Sequence, residues 1–233
     1  MDTQNTVRSL LESAISETPF EHCIVHKVFS DADYAKIHCY WPDVEAFDPL
    51  STSNSGWYPE RRQFRLTDDK LLLLNASQRN FWQELRKSFT SSAFLKAALT
   101  KFQGTISPRL KNYRGSNIDL DLRIMEDQTQ YTLGPHTDSN HKLLTLLIYV
   151  PSDQTLAKFG TSLYKPRNSR QRFNHSEHHA RADFELVSTV PFIPNSALVF
   201  ARTDQSFHGV EPFIAPSMTR KLIIYNLYLR SKD

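Results

Sequence analysis

Cysteine is nearly absent from the sequence. The 233 residues contain only Cys23 and Cys39, which is too few for a disulfide framework and fits a reducing compartment. A zinc site built from cysteines is excluded for the same reason. We therefore expect neither a disulfide nor a cysteine-based metal centre.

Long hydrophobic runs are also missing. The longest apolar run, Leu143 to Val150, contains Thr145 and is far shorter than the roughly 20 residues that a membrane-spanning helix needs. The first residues, 1–5, lack the basic region and the apolar core of a signal peptide. We therefore expect no membrane span and a cytoplasmic location.

A strong excess of charge of one sign is lacking too. The formal net charge is only +3, and no basic stripe alternates with aromatic residues, as nucleic-acid-binding surfaces require. These features predict a small-molecule substrate and no nucleic-acid partner. The sequence does not indicate an oligomeric state.

The chain has enough apolar residues for one folded core. Hydrophobic residues make up 39% and aromatic residues 12% of the sequence, which excludes disorder. We expect a single domain, 1–233, in which residues 1–117 form a helical and irregular support for a β-rich core over residues 118–230. Helices are expected over residues 1–18 and 75–102, a strand over 22–29, and an irregular rim over 41–67.

Beyond Asn117 the sequence is typical of strands. Short apolar runs are separated by Pro, Gly, Asn and Asp, and most are not separated by a stretch with helical periodicity, so parallel βαβ units are not expected. The predicted fold is α+β and mainly β, a barrel or jelly roll supported by N-terminal helices. The predicted strands cover residues 118–125, 130–133, 143–150, 161–164, 184–192, 196–201 and 221–229.

Two histidines and one aspartate form a candidate metal site. His136 and Asp138 are two residues apart, so in an extended chain their side chains point the same way. His208 follows the predicted strand 196–201 and supplies a third ligand. Two imidazoles and a carboxylate on one face of an iron ion leave three coordination positions open for oxygen and a bidentate co-substrate.

Arg220 is a candidate for holding that co-substrate. It shares one face of the last predicted strand with Leu222, Ile224, Asn226 and Tyr228. An arginine on a mostly apolar inner face is costly to bury unless an anion pairs with it. Its guanidinium group can bind a carboxylate through two parallel hydrogen bonds.

At these residues the chain resembles the iron(II)- and 2-oxoglutarate-dependent oxygenases, in particular their prolyl-4-hydroxylase-like branch and bacterial members of unassigned substrate. The resemblance covers residues 118–230 and implies a double-stranded β-helix of the jelly-roll, cupin-like kind. It implies Fe(II) at His136, Asp138 and His208, 2-oxoglutarate at Arg220, and O2 as the second co-substrate. Asp138 fills the position that related halogenases leave to a halide, so hydroxylation with release of succinate and CO2 is expected. Desaturation and epimerisation use the same triad and stay open.

The sequence departs from that family beside Arg220. Many members have Ser two residues after the arginine, where this chain has Leu222, and the usual acid is missing from the glycine turn at 159–164. A hydroxyl from another strand is then expected to assist Arg220. The candidates are Tyr131, Thr145 and Tyr149.

Charge is the only sequence feature from which the substrate class is predicted. An insertion at 165–181 has five basic residues against one acid, and is interpreted either as a solvated loop or as an arm that attracts an anionic substrate. Its histidines, in the run His175-Ser176-Glu177-His178-His179, form a rival metal cluster that no strand holds in place. The candidate substrate contacts near the triad are Arg123, His141 and Arg202.

Four functions follow from these observations. The leading one is hydroxylation of a small polar or anionic molecule, such as an amino acid, a sugar derivative or a tethered metabolite. A peptidyl, prolyl-type hydroxylase is the second. The other two are a cupin-like metalloenzyme that does not use 2-oxoglutarate, and an inactive binding module.

Overall fold

The computed structural model describes residues 1–52, 56–112, 117–174, 177–214 and 218–230. Within these ranges, no helix is long and apolar enough to cross a membrane. The helices are α1 Thr3–Glu12, α2 Asp31–Cys39, α3 Asp68–Leu71, α4 Ala76–Phe89, α5 Ser92–Lys101 and α6 Gln103–Asn112.

The strands form two antiparallel sheets. In chain order they are β1 Ile15–Ser16, β2 His22–His26, β3 Asp48–Thr52, β4 Gly56–Arg65, β5 Asn117–Gln128, β6 Leu133–His136, β7 Lys142–Tyr149, β8 Thr161–Pro166, β9 Phe184–Val190, β10 Ser196–Ala201, β11 His208–Val210 and β12 Thr219–Arg230. The larger sheet has the order β1-β2-β10-β7-β12-β5-β4-β3, and the smaller has the order β6-β11-β8-β9. Both sheets contribute strands to the site described below.

Helices α4 and α5 cover the outer face of the larger sheet. Each begins at a capping side chain: Asn75 accepts a hydrogen bond from the backbone N–H of Gln78, and Ser91 accepts one from Phe94. Phe89 and Phe94 pack against Tyr225 of β12, with ring centroids 5.9 and 5.2 Å away. Each such fully buried side chain stabilises the fold by roughly 1.5–3 kcal/mol, so these helices hold the sheet rigid beneath the site.

The inner face of the larger sheet meets the smaller sheet. Leu163 and Val190 from β8 and β9 belong to one buried cluster with Leu198, Phe200 and Leu222 from the larger sheet. The side chains of β12 alternate as the sequence predicts. Ile223, Tyr225 and Leu227 join the helical core, while the cavity between the sheets is lined by Arg220, Leu222, Ile224, Asn226 and Tyr228.

The prediction that residues 41–67 are irregular was wrong. This region contains β3 and β4, which extend the larger sheet because β4 pairs with β5, for example Phe64 opposite Ile124. β4 is polar on most positions, and its strand conformation depends on hydrogen bonds to β5, about sixty residues away along the chain.

Smaller differences concern element boundaries. The first helix ends at Glu12, where the prediction ran to residue 18. The strand predicted at 130–133 begins at Leu133 instead, and the short strand β11 was not predicted. The helical prediction over 75–102 is confirmed, and the structure divides this region into α4 and α5 at Thr90 and Ser91.

Candidate active site

A cavity of about 350 Å³ lies between the two sheets. Side chains from β4, β5, β7 and β12 of the larger sheet form one wall, and β6, β8 and β11 of the smaller sheet form the other. Polar side chains gather at its two ends, and Leu222 and Ile224 lie between them on β12. The cavity has the size and mixed lining typical of a small-molecule site.

His136, Asp138 and His208 lie together at one end of this cavity. The antiparallel pairing of β6 with β11 places His208 directly opposite His136, with ring centroids 4.3 Å apart. Asp138 follows two residues after His136, and one potential ligand atom from each of the three residues lies within 4.8 Å of the others. The structure therefore brings together the three residues that the sequence predicts.

Backbone carbonyl groups orient both imidazoles. Nδ1–H of His136 donates to the carbonyl oxygen of Gly134 at 3.0 Å, and Nδ1–H of His208 donates to that of Ser206, also at 3.0 Å. This arrangement leaves Nε2 of each ring unprotonated and free to bind a metal. Histidine metal ligands regularly donate such a hydrogen bond from the ring nitrogen that does not bind the metal.

The ionisation states of the three side chains suit metal binding. Burial lowers the pKa of His136, and His208 lowers it further; burial also lowers the pKa of His208. Burial alone would raise the pKa of Asp138, but Lys142 and the two imidazoles outweigh it and hold that pKa well below the usual range. Two neutral imidazoles and a carboxylate are the protonation states that a metal ion requires.

The Asp138 carboxylate is held on both oxygens. Lys142 Nζ donates to Oδ1 at 2.8 Å, and Thr145 Oγ1 donates to Oδ2 at 2.7 Å. Arg202 Nε donates to the backbone oxygen of Asp138 at 3.1 Å. From the sequence, Thr145 is one of three candidate hydroxyls for Arg220, and Arg202 is a candidate substrate contact. The structure instead places both beside Asp138, and Arg202 does not line the cavity.

The donor set fits Fe(II). Two imidazole nitrogens and one carboxylate oxygen on one side of a cavity leave room for further ligands on the other side, which is the arrangement of non-haem iron oxygenases. In the part of the chain that the structure describes, this is the only group of its kind found.

At the opposite end, Arg220 is almost fully buried and pairs with Asp127. Arg220 Nη1 donates to Asp127 Oδ2 at 2.6 Å, and the two side chains are 1% and 0% exposed. The strand pairing explains this contact, since Arg220 lies opposite Asp127 in the register of β12 and β5. The anion that the burial of Arg220 required is thus partly supplied by the chain itself.

A second arginine shares the same carboxylate. Arg61 of β4 donates to both oxygens of Asp127, with Nη2 2.9 Å from Oδ2. Two guanidinium groups and one carboxylate leave one positive charge in excess. Arg220 Nε and the Tyr131 hydroxyl are also buried without a hydrogen-bond partner, and Arg61 lies 4.2 Å above the Tyr131 ring. This end of the cavity is therefore suited to binding one more carboxylate.

Sequence reasoning missed Arg61 and Asp127. Arg61 lies in the region predicted to be irregular, and Asp127 is one of several acids on β5, so neither has a local pattern that marks it. Of the hydroxyls considered for Arg220, Tyr131 lies in this cluster, whereas the Tyr149 hydroxyl donates to Thr161 Oγ1 at 2.9 Å.

The structure distinguishes among the candidate substrate-contacting residues. Arg123 lines the cavity, but its side chain is already bound to Asp121 and, through Nη1 at 2.8 Å, to Gln63. His141 is exposed and does not line the cavity. Lys142, which was not among the candidates, lines the cavity beside Asp138.

The end of the basic insertion packs against the site. The His179 N–H donates to the Pro135 oxygen at 2.9 Å, and His178 Nδ1 lies 2.7 Å from the Tyr58 hydroxyl. The His178 ring is 4.9 Å from that of His136. Gly134 permits this close approach, because a Cβ there would lie 2.9 Å from the His179 oxygen.

The two interpretations of the insertion did not include this packing. His178 lines the cavity wall, so a fully solvated loop is wrong for this part of it. Asn174 Nδ2 donates to Glu177 Oε2 at 3.0 Å, and His175 and Ser176 are outside the described residues.

Comparisons with known proteins relate the chain to others by structure. No family model and no curated sequence matches it. A prolyl hydroxylase from Trichoplax adhaerens, solved with a peptide fragment of hypoxia inducible factor, superimposes with a TM-score of 0.56 at 12% identity, covering 97% of this chain and 88% of that one. The non-heme alpha-ketoglutarate-dependent carbocyclase SnoK of nogalamycin biosynthesis gives 0.55 at 13% identity, with 98% and 86% covered. A 2OG-Fe(II) oxygenase family protein from Burkholderia pseudomallei gives 0.51 at 12%, with 98% and 91% covered.

The chain has the fold of the iron(II)- and 2-oxoglutarate-dependent oxygenases. The predicted α+β, mainly β double-stranded β-helix with N-terminal helices is thereby confirmed. Within this fold, β6 and β11 of the smaller sheet carry His136 and His208, Asp138 follows β6, and β12 carries Arg220 on the larger sheet.

Proposed function

We propose that the protein is an iron(II)- and 2-oxoglutarate-dependent oxygenase that hydroxylates a small polar or anionic substrate and releases succinate and CO2. The proposal depends on one observation. The same cavity contains the triad and, at its other end, the buried Arg61–Asp127–Arg220 cluster, which has one excess positive charge for a further carboxylate. A cupin-like metalloenzyme without 2-oxoglutarate would give the Arg61–Asp127–Arg220 cluster no role.

His136, Asp138 and His208 would hold Fe(II), which, when bound together with 2-oxoglutarate, supplies the oxygen-activating chemistry. The remaining roles fall to the chain. Arg220 and Arg61 bind the distal carboxylate of 2-oxoglutarate, and the free Tyr131 hydroxyl donates to it. Leu222 and Ile224 exclude water along the cavity wall between the two ends.

The sites of hydrogen bonding to Asp138 support a hydroxylase over a halogenase. The carboxylate is present and is held on both oxygens by Lys142 and Thr145, so the coordination position that a halide would need is filled. Arg202 Nε also donates to the backbone oxygen of Asp138, which fixes the position of this residue.

The proposal is tested by adding Fe(II) and 2-oxoglutarate to the protein without oxygen. We expect a weak visible charge-transfer band from the chelate, and we expect His136→Ala and Asp138→Ala to abolish succinate release. His141→Ala is the matched control, since His141 is exposed and outside the cavity lining, and should behave like wild type. A wild-type protein that binds iron but shows no band would contradict the proposal.

The substrate class is tested by measuring substrate-stimulated succinate release with a library of metabolites and peptides. Stimulation by amino acids, sugar derivatives or their phosphates is expected. Stimulation by peptides alone would identify a peptidyl hydroxylase instead.

A further inference from the structure

The cavity has more positive than negative side chains. Among the described residues that line it, four are cationic, namely Arg61, Arg123, Lys142 and Arg220, and one, Asp138, is acidic. Two more carboxylates lie directly behind this lining, Asp127 on Arg61 and Arg220, and Asp121 on Arg123. Four cations thus face three carboxylates, and one positive charge is left over.

Loading the cavity with Fe(II) and 2-oxoglutarate does not remove this excess, since the charges of a divalent cation and a dianion cancel. One carboxylate of 2-oxoglutarate neutralises the Arg61–Asp127–Arg220 cluster. Arg123 is already neutralised by Asp121 and also donates to Gln63 at 2.8 Å. The remaining positive charge therefore lies at the metal end, where the carboxylate of Asp138 is the counterion of both the iron and Lys142.

Lys142 is the group on which this charge is concentrated. Its side chain is only 13% exposed, Asp138 at 2.8 Å is its acidic partner, and its ammonium lies 5.7 Å from the centre of the Tyr228 ring. A buried ammonium beside a divalent cation requires a further anion.

A second polar group faces the same space. Asn226 Nδ2 donates to Asp121 Oδ2 at 3.2 Å, while Asn226 Oδ1 is buried and has no hydrogen-bond partner. Asn226 lies opposite Thr145 in the pairing of β12 with β7, and Thr145 bonds to Asp138. The free amide oxygen is therefore near the metal end and can accept a hydrogen bond from a ligand.

We propose that Lys142 and Asn226 form the subsite for the oxidised substrate, and that this substrate has a carboxylate or phosphate ester with an N–H or O–H donor close to it. The proposal rests on the oxygenase function proposed above. Lys142 binds the anionic group and Asn226 Oδ1 accepts from the neighbouring donor. Both contacts place the molecule against the iron without using the Arg220 cluster.

The test uses the visible band of the anaerobic Fe(II)–2-oxoglutarate complex as a binding signal. The complex is titrated with matched pairs: N-acetyl amino acids and their methyl esters, and sugar phosphates and the parent sugars. We expect an anionic member to perturb the band, and its uncharged partner to bind at least about tenfold more weakly, since a charge-assisted hydrogen bond is lost.

Two substitutions at Lys142 locate the effect. Lys142→Arg retains the charge and should retain binding of the anionic compound, whereas Lys142→Met should weaken it by about tenfold or more. Asn226→Leu removes the free amide oxygen without removing the Lys142–Asp138 contact. It should weaken binding of the anionic compound several-fold, because the donor beside the anionic group loses its acceptor, and it decides the question if Lys142→Met fails to fold or to form the band.

The outcomes separate the two proposals. A missing band in the wild-type protein is a failure of the oxygenase function. A normal band that no anion perturbs, or that charged and uncharged partners perturb equally, overturns the Lys142 and Asn226 subsite alone. Unchanged anion binding in Lys142→Met or in Asn226→Leu overturns it as well.

Discussion

Replacing Arg220 by methionine separates its role in binding from its role in folding. The substitution removes one hydrogen bond to Asp127, but Arg61 still donates to both oxygens of that carboxylate. Asp127 therefore stays paired, and the loss of stability should be well below the roughly 3–5 kcal/mol typical of a buried charge left alone. The positive excess of the cluster, however, disappears.

The expected effect on 2-oxoglutarate binding is large. A hydrogen bond to a charged group contributes about 1.5–3 kcal/mol, so losing the Arg220 contact should raise the Kd for 2-oxoglutarate about 10- to 150-fold. At a concentration of 100 times the wild-type Kd, the ligand stabilises wild-type protein by about 2.7 kcal/mol. A hundredfold weaker variant would gain only about 0.4 kcal/mol under the same conditions.

Anaerobic titration of the iron-loaded protein measures the Kd, and thermal unfolding with and without 2-oxoglutarate measures the stabilisation. Arg123→Met is the matched control, because Arg123 lines the same cavity but is bound to Asp121 and Gln63. Its Kd for 2-oxoglutarate should change by only a few fold. Wild-type affinity in Arg220→Met, or an equal loss in Arg123→Met, would refute the assignment of the Arg220 cluster to 2-oxoglutarate.

Two further predictions concern the fold. Burial raises the pKa of Cys23 to about 12. Iodoacetamide at pH 8 should therefore modify only the exposed Cys39 in the native protein, and mass spectrometry identifies the modified residue. Rapid labelling of Cys23 would contradict this. Gly160→Ala should lower the free energy of unfolding by about 3 kcal/mol or more, because its Cβ would lie 1.6 Å from the Val190 oxygen. Gly104→Ala in α6 meets no atom within 4 Å and should raise stability by up to about 1 kcal/mol in urea unfolding; equal effects of the two would show that the close approach at Gly160 is unimportant.

The metal triad could be predicted because its pattern is local. His136 and Asp138 are two residues apart on extended chain, and an extended chain puts alternate side chains on one side whatever surrounds it. The same periodicity correctly placed Arg220 on the inner face of β12, between the apolar side chains that form the cavity wall. Only the position of His208 opposite His136 needed the sheet, and the order of strands made that pairing plausible.

The partners of those residues could not be predicted in the same way. Asp127 meets Arg220 because of the register of β12 against β5, and Arg61 reaches the same carboxylate because β4 adds to that sheet. Likewise, His178 reaches the cavity because the basic insertion folds back onto β6 at Gly134. In each case the contact joins distant parts of the chain.

The sequence by itself thus determined that Arg220 faces inward and that His136 and Asp138 lie on one side of the chain, since both follow from the alternation of side chains along an extended segment. The tertiary structure alone decided which distant charges meet, namely the pairing of Arg61 and Arg220 with the one carboxylate of Asp127. The physical reason is that charge balance depends on register and packing between strands, which a periodic pattern along one strand does not contain.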